Sequence, residues 1–258
     1  MNWPEVSNEL SNLLRLKTGP VGFKRLEKAA DLGTIENVHR VPHLCSFCQV
    51  LFMARIQRLT VGITREDKMN DRCMRIHGVK RATEKSMAAE AALMSTTWFA
   101  TPEDAMQQQR ETPRIPAGEA IVVAPLDKGK FEPEVILIYG NPAQLMMLLC
   151  GLQKEKYERY DFSFIGEGAC ADSLARCFLT QKPSLAIPCY GERSMGQVAD
   201  EELLLAIPPN EIDRAVSGLK KLRKIGFKYP IAFIGGHADL EPILREVYPS
   251  AFKPSKAQ

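Results

Sequence analysis

Apolar residues along this chain recur in two rhythms that alternate from segment to segment. Val6, Leu10, Leu13 and Leu14 fall at helical spacing and predict a helix over residues 4–16. After the turn signal Thr18-Gly19-Pro20, the run PVGFKRL predicts a strand over 20–26. A helix follows over 46–58, capped by Ser46 or the region of Cys45, and then the strand LTVGIT over 59–64. The stretch REDKMNDRC has no period and reads as a polar loop. Helices are expected over 84–98 and 102–110, the second opened by Thr101-Pro102-Glu103, and a strand over 119–126.

A comparable series then begins again. EVILIYG predicts a strand over 134–140, and PAQLMMLLCGLQK a helix over 142–154 with Asn141 as cap and Pro142 in its first turn. Within it, the run Leu145–Leu149 is expected in the core. Alternation in YDFSFIG predicts a strand over 160–166. A helix over 171–179, strands over 184–187 and 202–208, and a helix over 210–224 capped by Asn210 complete the series. The tail is expected to hold the strand YPIAFIG, a turn at Gly235-Gly236-His237 and a short helix, LEPILREVY. This order predicts an α/β or α+β fold, a mixed sheet with helices. Residues 1–126 and 127–258 read as two halves of an internal duplication, pseudo-symmetric and packed as one compact domain with a C-terminal extension. PVGFKRL then corresponds to PEVILIYG, LTVGIT to SLAI, and EAIVVAPL to ELLLAIP.

Composition narrows the function. Charged residues are 25% of the 258, and the net charge is +3. Without a concentrated basic face, nucleic acid is not an expected partner. The densest basic run, Lys220-Lys221-Leu222-Arg223-Lys224, reads as a solvated helix face. No run reaches the roughly 18 apolar residues of a membrane span, and no signal core is visible, so a cytoplasmic location away from membranes is expected. Seven cysteines in that compartment argue for metal ligation, catalysis or burial rather than disulfides.

The cysteines fall at paired places. Cys48 and Cys170 each stand where a helix begins, and Cys73 and Cys189 each follow a strand. A helix N-terminus favours thiolate, the form that binds soft metals and iron–sulfur clusters. The functional reading is a shared metal site of Cys48, Cys73, Cys170 and Cys189, with Cys45 as a further candidate through Cys45-x-x-Cys48. The competing reading is that they are small buried apolar residues. Cys150 and Cys177 fit helix core positions. A zinc alternative combines Cys45, Cys48, Cys73 and His77 as a Cys₃His set, and His43 lies close enough in sequence to join either scheme. Arg55, Arg176 and Arg193 lie near these cysteines. Arg55 and Arg193 are the candidate substrate-binding residues, suited to a small anion. Phosphate loops and nucleophile elbows are missing.

The segments LKTGPVGFK, FCQVLFMAR, PRIPAGEAIVVAPLDKGKFEPEVILIYGNPAQLMML, GACAD, PCYGER and DEELLLAIP resemble a bacterial and archaeal family of unknown function, domain-of-unknown-function family one hundred and sixty-nine. The resemblance runs over roughly residues 10–225. It implies the same four cysteines as site residues, and a prokaryotic, often anaerobic, context. It departs after Cys73, where relatives carry small glycine-rich residues, and at Glu192, where some carry a further cysteine. The expectation is a cysteine-ligated iron–sulfur protein in electron transfer, or in redox or lyase chemistry on a small anionic substrate, meeting that molecule or a redox partner protein. A metal-free small-molecule-binding or thiol-redox-sensing module and a structural zinc protein are the alternatives.

Overall fold

The structure is a computed structural model that describes residues 1–236 and 239–249. Helix α1 (Trp3–Leu14) precedes strand β1 (Val21–Leu26), a 3₁₀ segment (Ala29–Thr34) and the short β2 (Val38–His39). Then come α2 (Phe47–Arg55), β3 (Thr60–Thr64), α3 (Asp71–Ile76), α4 (Glu84–Met94), α5 (Pro102–Glu111) and β4 (Ala120–Pro125). The remainder holds β5 (Val135–Gly140), α6 (Pro142–Glu155), a π-helical segment (Ala171–Ala175) running into α7 (Arg176–Thr180), β6 (Ser184–Ala186), α8 (Tyr190–Gly196), β7 (Leu203–Ile207), α9 (Pro209–Lys224) and α10 (Leu240–Val247).

The strands form one mixed seven-stranded sheet in the order β2-β3-β4-β1-β5-β7-β6. Every pairing is antiparallel except β2 with β3. β1 and β5 pair through Val21–Leu137, Gly22–Ile136 and Phe23–Val135, so the sheet runs without a break from the first stretch of chain into the second.

Both faces are covered, which explains why the strands read as unbroken apolar runs rather than as alternation. Along β5, Val135, Leu137 and Tyr139 enter one core, while Ile136 and Ile138 enter the other. β7 divides in the same way, with Leu204 and Ala206 on one side and Leu205 and Ile207 on the other. The first face also packs Phe47, Val50 and Leu51 of α2, Met74 and Ile76 of α3, and Leu174 and Cys177. The second is covered by α1 (Val6, Leu10, Leu14), α6 (Leu145, Met147, Leu148) and α9 (Ile212, Ala215, Leu219).

Several sequence expectations are corrected. The supposed loop before Cys73 contains α3, whose first turn is capped by the Asn70 side chain accepting from the Arg72 and Cys73 amides. The alternation in YDFSFIG is real but forms no strand. Tyr160 and Phe162 lean on the second core with their rings stacked, while Phe164 and Ile165 remain exposed, and among the described residues no neighbouring strand pairs with them. Helix α9 starts at Pro209 after Pro208 rather than from an Asn210 cap. The tail run YPIAFIG forms no strand, and His237 of the expected turn lies outside the described residues. Met146 of the methionine run is 41% exposed, although its neighbours Leu145, Met147 and Leu148 are buried as expected. Among the described residues no helix is long and apolar enough to cross a membrane.

Helices α6 and α9 cross closely, because glycines meet there. A Cβ added at Gly218 would stand 1.8 Å from the Gly151 carbonyl oxygen. Relief requires the helices to separate and part of the second core to open. Gly218→Ala is therefore expected to lower stability by about 3 kcal/mol, read as a drop in the urea midpoint. Gly166→Ala, with nothing within 4 Å of the new methyl, should leave the midpoint almost unchanged.

Candidate functional site

The four paired cysteines line one pocket of about 270 Å³ on the first face of the sheet. Each comes from a different element. Cys48 lies in the first turn of α2, which Ser46 and Gln49 start through a reciprocal capping box. Cys73 sits in α3, and its sulfur accepts the Phe47 amide at 3.4 Å, which ties the two helix starts together. Cys170 immediately precedes the π-helical segment, a kind of local distortion common at functional sites. Cys189 occupies the cap position of α8. Helices α2 and α8 cross closely at Gly196, where an added Cβ would lie 3.3 Å from the Cys48 carbonyl oxygen.

The thiols differ electrostatically. The Cys48 thiol lies within hydrogen-bond reach of the Cys189 sulfur and donates to it. That bond and burial push the Cys48 thiol up. The Cys48 proton and the backbone N–H groups of Glu192, Ala169 and Gly191 draw Cys189 down, toward thiolate. Burial also raises Cys73, while the Phe47 amide and the Arg72 charge pull it back. Cys170 is raised well above an ordinary thiol by burial and by the neighbouring Glu192, Cys189 and Cys73. Among the described residues, no group of three or more His, Cys, Asp or Glu side chains is drawn together as tightly as a single metal ion requires.

The other predicted residues fall elsewhere. Cys45 is buried in the first core, bridges to Met69 and is pushed up to about 11 by burial and by Cys73; it does not line the pocket. Cys177 is fully buried, but Cys150 is only half-buried, 3.5 Å from the Met146 sulfur. His77 is completely buried, stacked on Phe47 at 3.5 Å. Its Nδ1 lies 2.8 Å from the Cys73 carbonyl oxygen, and burial holds it down to about 3, hence neutral. His43 is exposed away from the pocket.

Neither candidate substrate arginine reaches the pocket. Arg55 is 2% exposed, paired with Glu202 at 3.1 Å, donating to the Gly196 and Gln197 carbonyls and stacked 4.3 Å over the Tyr139 ring. Arg193 donates to the Ala199 carbonyl at 2.7 Å. Arg176 faces a separate 340 Å³ cavity beside Asp172.

Of the groups around the thiols, sequence reasoning missed Arg72 and Trp98. Arg72 lines the pocket and is held by Glu90 and Glu167. Trp98 and Tyr190, both largely exposed, stand with ring centroids 6.1 Å apart at its mouth. Asn70, Arg72 and Trp98 also line an adjoining cleft of about 760 Å³. Glu192 is 1% exposed, accepts the Tyr139 hydroxyl at 3.1 Å through Oε1 and leaves Oε2 with no hydrogen-bond partner among the described residues. The spacing Cys189-x-x-Glu192 is that of a capping box and was the available signal for both α8 and this carboxyl.

Burial and the Cys189 charge raise Glu192 from 4.5 to about 8. Between these two values the folded chain binds a proton that the unfolded chain has released, so its stability falls as pH rises through that window. Glu192→Gln removes this dependence. With the thiols metal-free, the variant should gain on the wild type as denaturation midpoints are compared from pH 5 to pH 8. Parallel midpoint curves for the two proteins would refute the burial account.

Comparison with known proteins agrees with this picture in extent. An uncharacterised protein of Methanocaldococcus jannaschii is 25% identical over 180 residues, covering 69% of this chain and 77% of that protein. No solved structure matches significantly. The family model described as uncharacterised ArCR matches residues 9–218, which span every strand and all four pocket cysteines. The chain therefore belongs to the uncharacterised ArCR family, domain of unknown function 169.

Proposed function

We propose that Cys48, Cys73, Cys170 and Cys189 hold an iron–sulfur cluster and that the protein works in one-electron transfer, or in redox or lyase chemistry on a small anionic molecule entering beside Arg72. The observation that carries this reading is the convergence of four thiols, from four elements, on one pocket of cluster-like chemistry. The zinc alternative is less well served, since neither Cys45 nor His77 of its Cys₃His set lines the pocket.

The protein's own groups fit such a centre. Phe47 offers an amide to the Cys73 sulfur, and the amides near Cys189 favour its charged form. Hydrogen bonds of this kind tune cluster potentials. Arg72 offsets negative charge at Cys73 and Cys170. Buried thiols held neutral by repulsion release their protons only to a strong cationic partner. When bound, a cluster would supply an electron site or a Lewis-acidic iron. The chain positions its thiols, keeps Glu192 uncharged nearby and leaves the Arg72 edge open to the larger cleft.

Strand order supports the internal duplication as well. β3-β4-β1 on one side is answered by β6-β7-β5 on the other, the two meeting antiparallel at β1 and β5. Under that correspondence Cys48 matches Cys170 and Cys73 matches Cys189.

The test is anaerobic purification followed by iron and acid-labile sulfide analysis. A brown sample with broad visible absorption is expected. Cys170→Ala should lose the chromophore, and Cys45→Ala, which alters only a core thiol, should keep it. A colourless, iron-free wild type after anaerobic reconstitution with iron and sulfide overturns the proposal.

A further inference from the structure

The two sulfurs in contact point to chemistry that needs no metal. A Cβ placed on Gly191 would lie 3.5 Å from the Cys48 sulfur and 3.8 Å from the Cys189 sulfur, so a glycine keeps the space between them free of a side chain. Gly196 allows the two helices that carry them to touch. The pair is unequal. Cys48 is 7% exposed and sits behind; Cys189 is more open, at the cap of α8, beside Tyr190 at the pocket mouth. Cys73 and Cys170 share the pocket without such a partner contact.

We infer that, when no metal occupies the pocket, Cys189 and Cys48 act as a hydroperoxide-oxidisable dithiol, with Cys189 as the attacking sulfur and Cys48 as the resolving one. The oxidant is hydrogen peroxide. The Cys189 sulfur attacks the terminal peroxide oxygen. An S–O bond forms as the O–O bond breaks, and the leaving hydroxide takes a proton from solvent and departs as water. Cys189 is then a sulfenic acid, oxidised by two electrons. The Cys48 thiol loses its proton and attacks that sulfur. The S–S bond forms, the S–O bond breaks, and a second water leaves. In sum, two thiols and one peroxide give one disulfide and two waters. Cys189, the more open of the two, meets the oxidant at the pocket mouth, and Cys48 stands behind it across the space that Gly191 leaves free.

The inference is independent of the cluster reading, because it concerns the metal-free chain. Full-length protein prepared with a chelator and reduced is exposed to stoichiometric hydrogen peroxide, quenched with an alkylating agent and mapped by peptide mass spectrometry. Two of the seven thiols should disappear, joined as a Cys48–Cys189 peptide pair. In Cys48→Ser, dimedone should label Cys189 instead. Seven retained thiols, a different dominant pair, or Cys189 driven to sulfinic acid beside reduced Cys48 overturns the inference. Should the serine variant fold poorly, the wild-type map decides alone. Iron content of the anaerobic sample, which judges the cluster reading, has no bearing on this outcome.

Discussion

Three residue pairs between β1 and β5 hold the architecture together. β1 pairs with β4 over six residues and β5 with β7 over five, so the central seam is the shortest of the three. Backbone bonds alone do not explain its persistence. Val21 and Phe23 on one strand and Val135 and Leu137 on the other all enter the first core, so the seam is held by apolar burial above it. Once it forms, α2 and α8, separated by well over a hundred residues in sequence, are obliged to pack against each other on the same face. The thiol pocket exists because of that obligation.

The pocket combines opposed demands. Burial raises the cost of thiolate, as it does at Cys170, while amides and the Arg72 charge reduce it, as they do at Cys189 and Cys73. The result is a set of thiols of graded character rather than four equivalent ones. Glu192 adds a carboxyl that burial keeps protonated near neutral pH, so the site gains no further anion from it. Arg55, paired with Glu202 and lying over Tyr139, acts as a buried strut between α2 and the loop after α8.

Double-sided burial makes strands such as β4, β5 and β7 continuous apolar runs, which made them legible in the sequence, whereas β1, which carries Lys24 and Arg25, was marked by the Thr18-Gly19-Pro20 turn before it. Alternation misled at residues 160–166, where Tyr160 and Phe162 pack downward and, among the described residues, pair with no strand. Helix α3 escaped notice because six residues hold too little periodicity, and only Asn70 marks its start. At the site, cysteine placement carried the information, since a thiol at a helix start is a local property. The arginines could not be read this way. Whether a guanidinium faces a pocket or a carboxylate depends on partners such as Glu202, 147 positions from Arg55, which no local pattern announces.

A pocket that straddles the seam also has a place in time. During synthesis Cys48 and Cys73 emerge with α2 and α3, long before Cys170 and Cys189. The four-thiol pocket comes into being only as β5, β6 and β7 complete the sheet. A truncated or stalled chain carries cysteines but no such pocket, and anything bound across all four thiols would fasten the first-made part of the protein to the last.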